Sequence, residues 1–204
     1  MTGHFIAFEG GEGSGKSTQA RRLADRLGIQ ALFTFEPGDT SLGAAVRRLV
    51  LDSPDLEITD RAEALLMAAD RAQHVVEVIR PALEAGRTVV TDRFAGSSIA
   101  YQGHGRQLPA VEVEQLSRWA TDGLWPDLIV LLEVSPRDAG LRLARARDRV
   151  ESAGDAFHDR VHDGFLVQAM ADPDRWVIVD GFRDEDAVAA DVWEIITIRF
   201  PDLI

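Results

Sequence analysis

The sequence predicts a three-layer α/β fold, a five-stranded parallel sheet doubly wound by helices, on three observations. Five short apolar runs alternate with segments of helical periodicity. The run Leu128-Ile129-Val130-Leu131-Leu132-Glu133-Val134 is almost continuously apolar, as a strand covered on both faces must be. A glycine-rich stretch, 10–17, separates the first run from the first helical segment, where such a sheet keeps its ligand edge.

The first strand covers 4–9. Ala20, Leu23, Ala24 and Leu27 then fall at helical spacing, so a helix runs over 16–27 and Gly28 ends it. Strand two is 31–35, closed by Glu36-Pro37-Gly38-Asp39. A helix over 41–51 stops near Ser53-Pro54. A longer helix spans 60–85, with Thr59 or Asp60 as N-cap, Gly86 as the stop, and Pro81 expected to kink or break it. Strand three, 88–91, ends at Asp92-Arg93, and helices over 95–101 and 111–123 follow. After the fourth strand Pro136 opens a helix to about 147. A charged stretch, about 145–155, is the one segment that reads as a mobile lid. A helix over 155–170, a strand over 176–180 and a helix over 184–198 complete the chain, which reads as one domain over 1–204.

Composition narrows the partners. The net charge is −12, so nucleic acid and anionic membranes are not expected partners. Cysteine is absent, which excludes disulfides and thiolate metal sites, and no run of 18 apolar residues exists. Met1-Thr2-Gly3-His4 leads directly into a strand rather than a signal peptide. These features predict a cytoplasmic protein.

The chemistry concentrates at Gly10-Gly11-Glu12-Gly13-Ser14-Gly15-Lys16-Ser17, a full G-x-x-x-x-G-K-[ST] pattern between a strand and a helix, followed by Thr18. Glycines let backbone N–H groups converge on phosphate oxygens, and the helix start adds its positive end. Lys16, the only lysine in the chain, supplies a compact full charge, and Ser17 is placed for Mg²⁺. Glu12 would repel phosphates unless it points towards a hydroxyl or cation of a second substrate. Asp92 and Arg93 fall at the ligand edge, Asp92 towards the Mg²⁺ shell and Arg93 towards a transferring phosphoryl group. Asp70-Arg71 with Gln73-His74 forms a polar cluster that can face a pocket, although His74 alone reads as a surface or packing residue. Arg142, Arg145, Arg147, Arg149 and Arg160 crowd the lid stretch and could neutralise a transition state on closure.

Together these stretches resemble a thymidylate kinase of the bacterial type, among the P-loop nucleoside monophosphate kinases. The resemblance rests on the loop, Glu36-Pro37-Gly38, Asp70-Arg71-Ala72-Gln73-His74 and Asp92-Arg93-Phe94. Ser97-Ser98-Ile99-Ala100-Tyr101-Gln102-Gly103, Arg145 to Glu151 and Phe157 to Val161 continue it in order. It implies a P-loop NTPase fold and transfer of the ATP γ-phosphoryl group to dTMP with Mg²⁺. It also implies that Glu12 holds the sugar 3′-hydroxyl, Arg93 the acceptor phosphate and Arg71 the thymine edge. Glu36, Pro37, Ser98, Tyr101 and Gln102 would complete the acceptor pocket, Arg149 would be the lid arginine, and the helix carrying Arg71 would form a homodimer.

Three positions depart from the family pattern. Phe35 replaces an arginine near the acceptor phosphate, Asp39 adds a carboxylate, and Met67 replaces a phenylalanine that stacks on thymine. They predict weaker acceptor binding and leave open a related kinase with another nucleoside or nucleoside monophosphate as acceptor. A GTPase is disfavoured, because the chain has no asparagine for the Asn-Lys-x-Asp motif.

Overall fold

The computed structural model describes residues 3–53, 55–142 and 154–203. At its centre are β1 (Phe5–Glu9), β2 (Ala31–Phe35), β3 (Thr88–Asp92), β4 (Leu128–Glu133) and β5 (Trp176–Asp180). All pairs are parallel, in the order β2-β3-β1-β4-β5. Parallel neighbours need crossovers, and helices supply them. Between the strands lie α1 (Lys16–Leu27), α2 (Ser41–Val50), α3 (Asp60–His74), α4 (Arg80–Glu84), α5 (Ala95–Ser98), α6 (Ala110–Ala120), α7 (Pro136–Arg142) and α8 (Asp155–Ala171), and α9 (Glu185–Arg199) follows the last strand.

The apolar runs are continuous because the sheet is covered twice. Phe5 and Ala7 of β1 join a core with Val75, Phe94, Phe157 and Phe165. Ile6 and Phe8 point the other way, into a core with Ala20, Leu23, Val188 and Val192 of α1 and α9. The side-chain period of a strand is two, so both alternating sets must be apolar.

Two helices are irregular. Pro81 does not break its helix. The preceding residues Val75–Ile79 widen into a π-helical segment, and the chain stays helical past a residue with no N–H to give. The helix expected over 95–101 becomes α5 followed by a second π-helical segment, Ile99–Gly105. This segment packs closely on α8: a Cβ at Gly105 would stand 2.6 Å from Phe157 Cε2. The expected lid lies outside the described residues, apart from Gly154 and Asp155, and Arg145, Arg147 and Arg149 lie outside them too. Among the described residues, no helix is long and apolar enough to cross a membrane.

Strand register positions the site. Phe8 pairs with Asp92 across β1 and β3, and Phe35 pairs with the same Asp92 across β2 and β3. The carboxyl ends of three strands therefore meet at one place, beside β1, where the winding changes side.

Candidate active site

The loop after β1 is built to receive an anion. Gly15 takes φ 87°, which a side chain would resist, and α1 starts there without a side-chain cap or an acidic residue in its first turn. Its first N–H groups are left for a ligand. Lys16 is 5% exposed, and its Nζ donates to Gly11 O at 2.9 Å. Burial, with Arg93 close by, pulls its ammonium below the ordinary lysine range. The buried Ser14 Oγ has no hydrogen-bond partner. A polyphosphate would satisfy both groups.

Asp92 and Arg93 follow β3. Ser17 Oγ donates to Asp92 Oδ2, and the buried Asp92 Oδ1 has no partner. An orphaned carboxylate oxygen beside a hydroxyl fits a divalent cation held partly by phosphates. Among the described residues no group of three or more His, Cys, Asp or Glu could hold a metal alone.

Arg93 takes φ 71°, an uncommon conformation for a residue with a side chain. Its N–H is tied to Phe8 O at 2.9 Å. Nη1 donates to Gly10 O at 3.1 Å and Ser97 Oγ at 2.9 Å, and Nη2 donates to Glu12 and to Tyr101 Oη at 3.3 Å. Behind it, Glu9 is fully buried and accepts from Phe94 N, Ser97 N and Ser97 Oγ.

A second network joins β2 to α3. Arg71, 3% exposed, donates to Glu36 Oε2 at 2.8 Å, Phe94 O at 3.2 Å and Ser98 Oγ at 3.0 Å. His74 is buried rather than on the surface. Its Nδ1 meets Glu36 Oε1 at 2.9 Å and its Nε2 meets Thr34 Oγ1 at 2.5 Å. Both ring nitrogens are thus committed, and His74 orients Glu36. Asp70 Oδ1 accepts from Gly38 N at 3.1 Å.

Burial and the neighbouring Glu36 push the Asp70 carboxyl up from 3.8 to about 6. The ionised form is therefore the disfavoured one in the fold. Its cost is absent below the unfolded value and complete above the folded one. Asp70→Asn should gain stability relative to the parent chain as pH rises from about 4 to 7, by up to about 3 kcal/mol. Thermal melts across that range test this, and a pH-independent difference would contradict it.

A cavity of about 690 Å³ opens over these strand ends. Glu12, Glu36, Pro37, Met67, Arg71, Arg93, Ser98, Tyr101 and Gln102 all line it, beside Lys16, Ser17 and Asp92. A smaller cavity of about 440 Å³, lined by Gly11, Pro136, Arg137, His158 and His162, lies across the loop, and Glu12 borders both. Thr18 is exposed and lines neither.

Other expectations are revised. Asp39 is exposed, accepts from Thr34 Oγ1 at 2.5 Å and does not line the larger cavity, so its charge is not presented there. Arg142 donates to Gly181 O at 2.8 Å and Phe182 O at 3.0 Å, while Arg160 holds Gly105 O at 2.8 Å. These two arginines brace backbone carbonyls. Asp70 lines the cavity beside Arg71, as the polar cluster suggested, whereas Arg21, Arg47, Arg48 and Ser97 line it without having been singled out as ligands. Arginines on helix faces carry no distinctive sequence signal. Ser97, however, lies one residue before the expected Ser98.

Comparison with known proteins agrees with this geometry. A family model described as thymidylate kinase matches residues 8–192. The thymidylate kinase of Bifidobacterium longum (strain NCC 2705) is 49% identical over 196 residues, 93% of this chain and 95% of its own. That of Cutibacterium acnes is 48% identical over 200 residues, 97% of this chain and 98% of its own. The crystal structure of thymidylate kinase from Ehrlichia chaffeensis superposes with a TM-score of 0.78 at 30% identity, covering 96% of this chain and 99% of that one.

Proposed function

The chain belongs to the thymidylate kinase family, and on that premise we propose how its residues phosphorylate dTMP to dTDP. ATP is the donor. Its phosphates lie against the N–H groups of the loop, with Ser14 Oγ and Lys16 Nζ as further donors. Binding adds to Lys16 a counter-charge that offsets the loss of hydration in its buried position. Ser17 and Asp92 would hold Mg²⁺, which when bound spreads the phosphate charge.

The acceptor occupies the larger cavity. Arg93 receives its phosphate, and Glu12 then turns to the sugar hydroxyl. Arg71 and Gln102 meet the base edge, and Met67 covers its face. The acceptor phosphate is itself the nucleophile, so no strong general base is required. Alignment and charge neutralisation carry the rate. The catalytic set is Glu12, Lys16 and Arg93, joined on the resemblance by Arg149. Exposed Leu65 and Val76, on and just beyond α3, support a homodimer through that helix. The charge of −12 and the absence of a membrane-spanning helix among the described residues support a cytoplasmic enzyme without nucleic acid or membrane partners.

One observation carries the reading. The shared pairing of Phe8 and Phe35 with Asp92 brings the loop, Asp92-Arg93 and Glu36 to one cavity rim. ADP formation with ATP and Mg²⁺ against dTMP, dUMP, dCMP, dGMP, AMP and thymidine in parallel tests it. Clear preference for dTMP is expected. Preference for another acceptor would show that Phe35 and Met67 have changed the substrate. No turnover with any acceptor would overturn the reading.

A further inference from the structure

Glu9 lines neither cavity and is 0% exposed, yet it carries a carboxylate at the end of an otherwise apolar strand. Burial pushes that carboxyl up to about 7 even against the donors around it. A residue needed only for packing would not carry this penalty.

The donors show where the carboxylate acts. Phe94 N and Ser97 N both reach Oε1 at 3.0 Å, closing the start of α5 over it. Gly96 permits the approach: a Cβ there would stand 2.8 Å from Oε1 and 2.9 Å from Trp176 Cη2. Ser97 Oγ donates to Oε2 at 2.5 Å. A hydroxyl has one proton, so once it is committed to Glu9 the lone pairs of Ser97 Oγ face outward. Arg93 Nη1 donates into them at 2.9 Å. The Arg93 backbone, at φ 71°, is meanwhile held by Thr91 Oγ1 donating to its carbonyl at 2.8 Å.

We infer that Glu9 is a positioning residue, which through the Ser97 hydroxyl fixes the Arg93 guanidinium in the orientation that receives the acceptor phosphate. This rests on the reading of Arg93 as the acceptor-phosphate ligand. In its ionised form Glu9 puts a negative charge behind that hydroxyl, which strengthens it as an acceptor for a cation and discourages other rotamers of a long side chain. Glu9 itself touches no substrate.

Ser97→Ala separates the two jobs of the carboxylate. It keeps both backbone N–H bonds to Oε1 and removes only the hydroxyl between Oε2 and Arg93. With dTMP varied at saturating MgATP, Ser97→Ala should lower kcat/KM about tenfold, mainly through KM, the scale of one hydrogen bond to a charged group. Affinity for MgATP without acceptor should be unchanged. Glu9→Gln keeps an oxygen for the two N–H groups but turns an amide N–H towards Ser97. It should cost a similar factor alone and little more in the Ser97→Ala background. An equal cost with and without the Ser97 hydroxyl would overturn the inference, as would a parental acceptor KM in Ser97→Ala. If Glu9→Gln does not fold, Ser97→Ala decides alone. Arg93→Ala is the control for the underlying reading: normal dTMP kinetics there would remove that reading, whereas a large loss there with parental Ser97→Ala kinetics would remove only the relay.

Discussion

Lys16→Met should reduce dTMP-dependent ADP formation at least about a thousandfold, a barrier change of about 4 kcal/mol. Lys16 is the only ammonium side chain in the protein, and the site holds it away from water, where a charge on a phosphoryl group acts most strongly. In the free protein it contributes one hydrogen bond, to Gly11 O, while its charge is disfavoured by burial. Methionine is unbranched, one atom shorter, and carries no charge to desolvate. The variant should therefore melt no lower than the parent. Steady-state turnover and thermal melts together check both halves. Activity within tenfold of the parent would contradict the assignment of the loop, and a collapsed melt would mean that Lys16 organises the fold.

Arg93→Ala should lower kcat/KM for dTMP by two to three orders of magnitude, about 3–4 kcal/mol, with the KM for ATP changing far less. The guanidinium reaches Gly10 O, Ser97 Oγ, Tyr101 Oη and Glu12 at once. Its loss would remove both the proposed phosphate ligand and the clasp that holds Glu12 at the cavity wall. Arg93→Lys should recover little, because a single ammonium cannot reproduce a planar fork with separate partners. Varying dTMP at saturating ATP measures this. A parental dTMP KM and kcat in Arg93→Ala would place the acceptor phosphate elsewhere, with Arg47, whose Nη1 donates to Pro37 O at 2.9 Å, the next cation to test.

The sheet was legible because its strands are apolar on both alternating sets of residues, and each expected strand matches an observed one within a residue at its ends. The phosphate loop was legible because its mechanics demand a strand before it and a helix after it. The acceptor candidates were legible largely by resemblance, and the structure brings all nine to one cavity. What sequence patterns did not show was which partner each polar group takes. His74 has the same neighbours in sequence whether it faces water or lies between Thr34 and Glu36. Asp39 lies in the same turn as Glu36 and Gly38, yet it faces Thr34 rather than the cavity. The helix around Pro81 has an ordinary periodic pattern, and helical hydrophobicity does not distinguish an α-turn from the wider turn that carries it past the proline. Arg142 and Arg160 read as lid charges because sequence proximity to a charged stretch says nothing of nearby backbone carbonyls.

Among the described residues, Glu12 is the one that lines both cavities. Glu12 borders the larger one, where it pairs with Arg93, and also the smaller one across the loop. A residue shared in this way cannot move for one occupant without changing the wall that meets the other. If an acceptor draws Glu12 away from Arg93, the free energy of that rearrangement is already spent when a ligand arrives on the other side. Thermodynamic reciprocity then requires the second ligand to change the affinity of the first by the same factor. Any coupling between occupants of the two cavities would thus run through where one carboxylate stands, without any movement of the strands that carry the site.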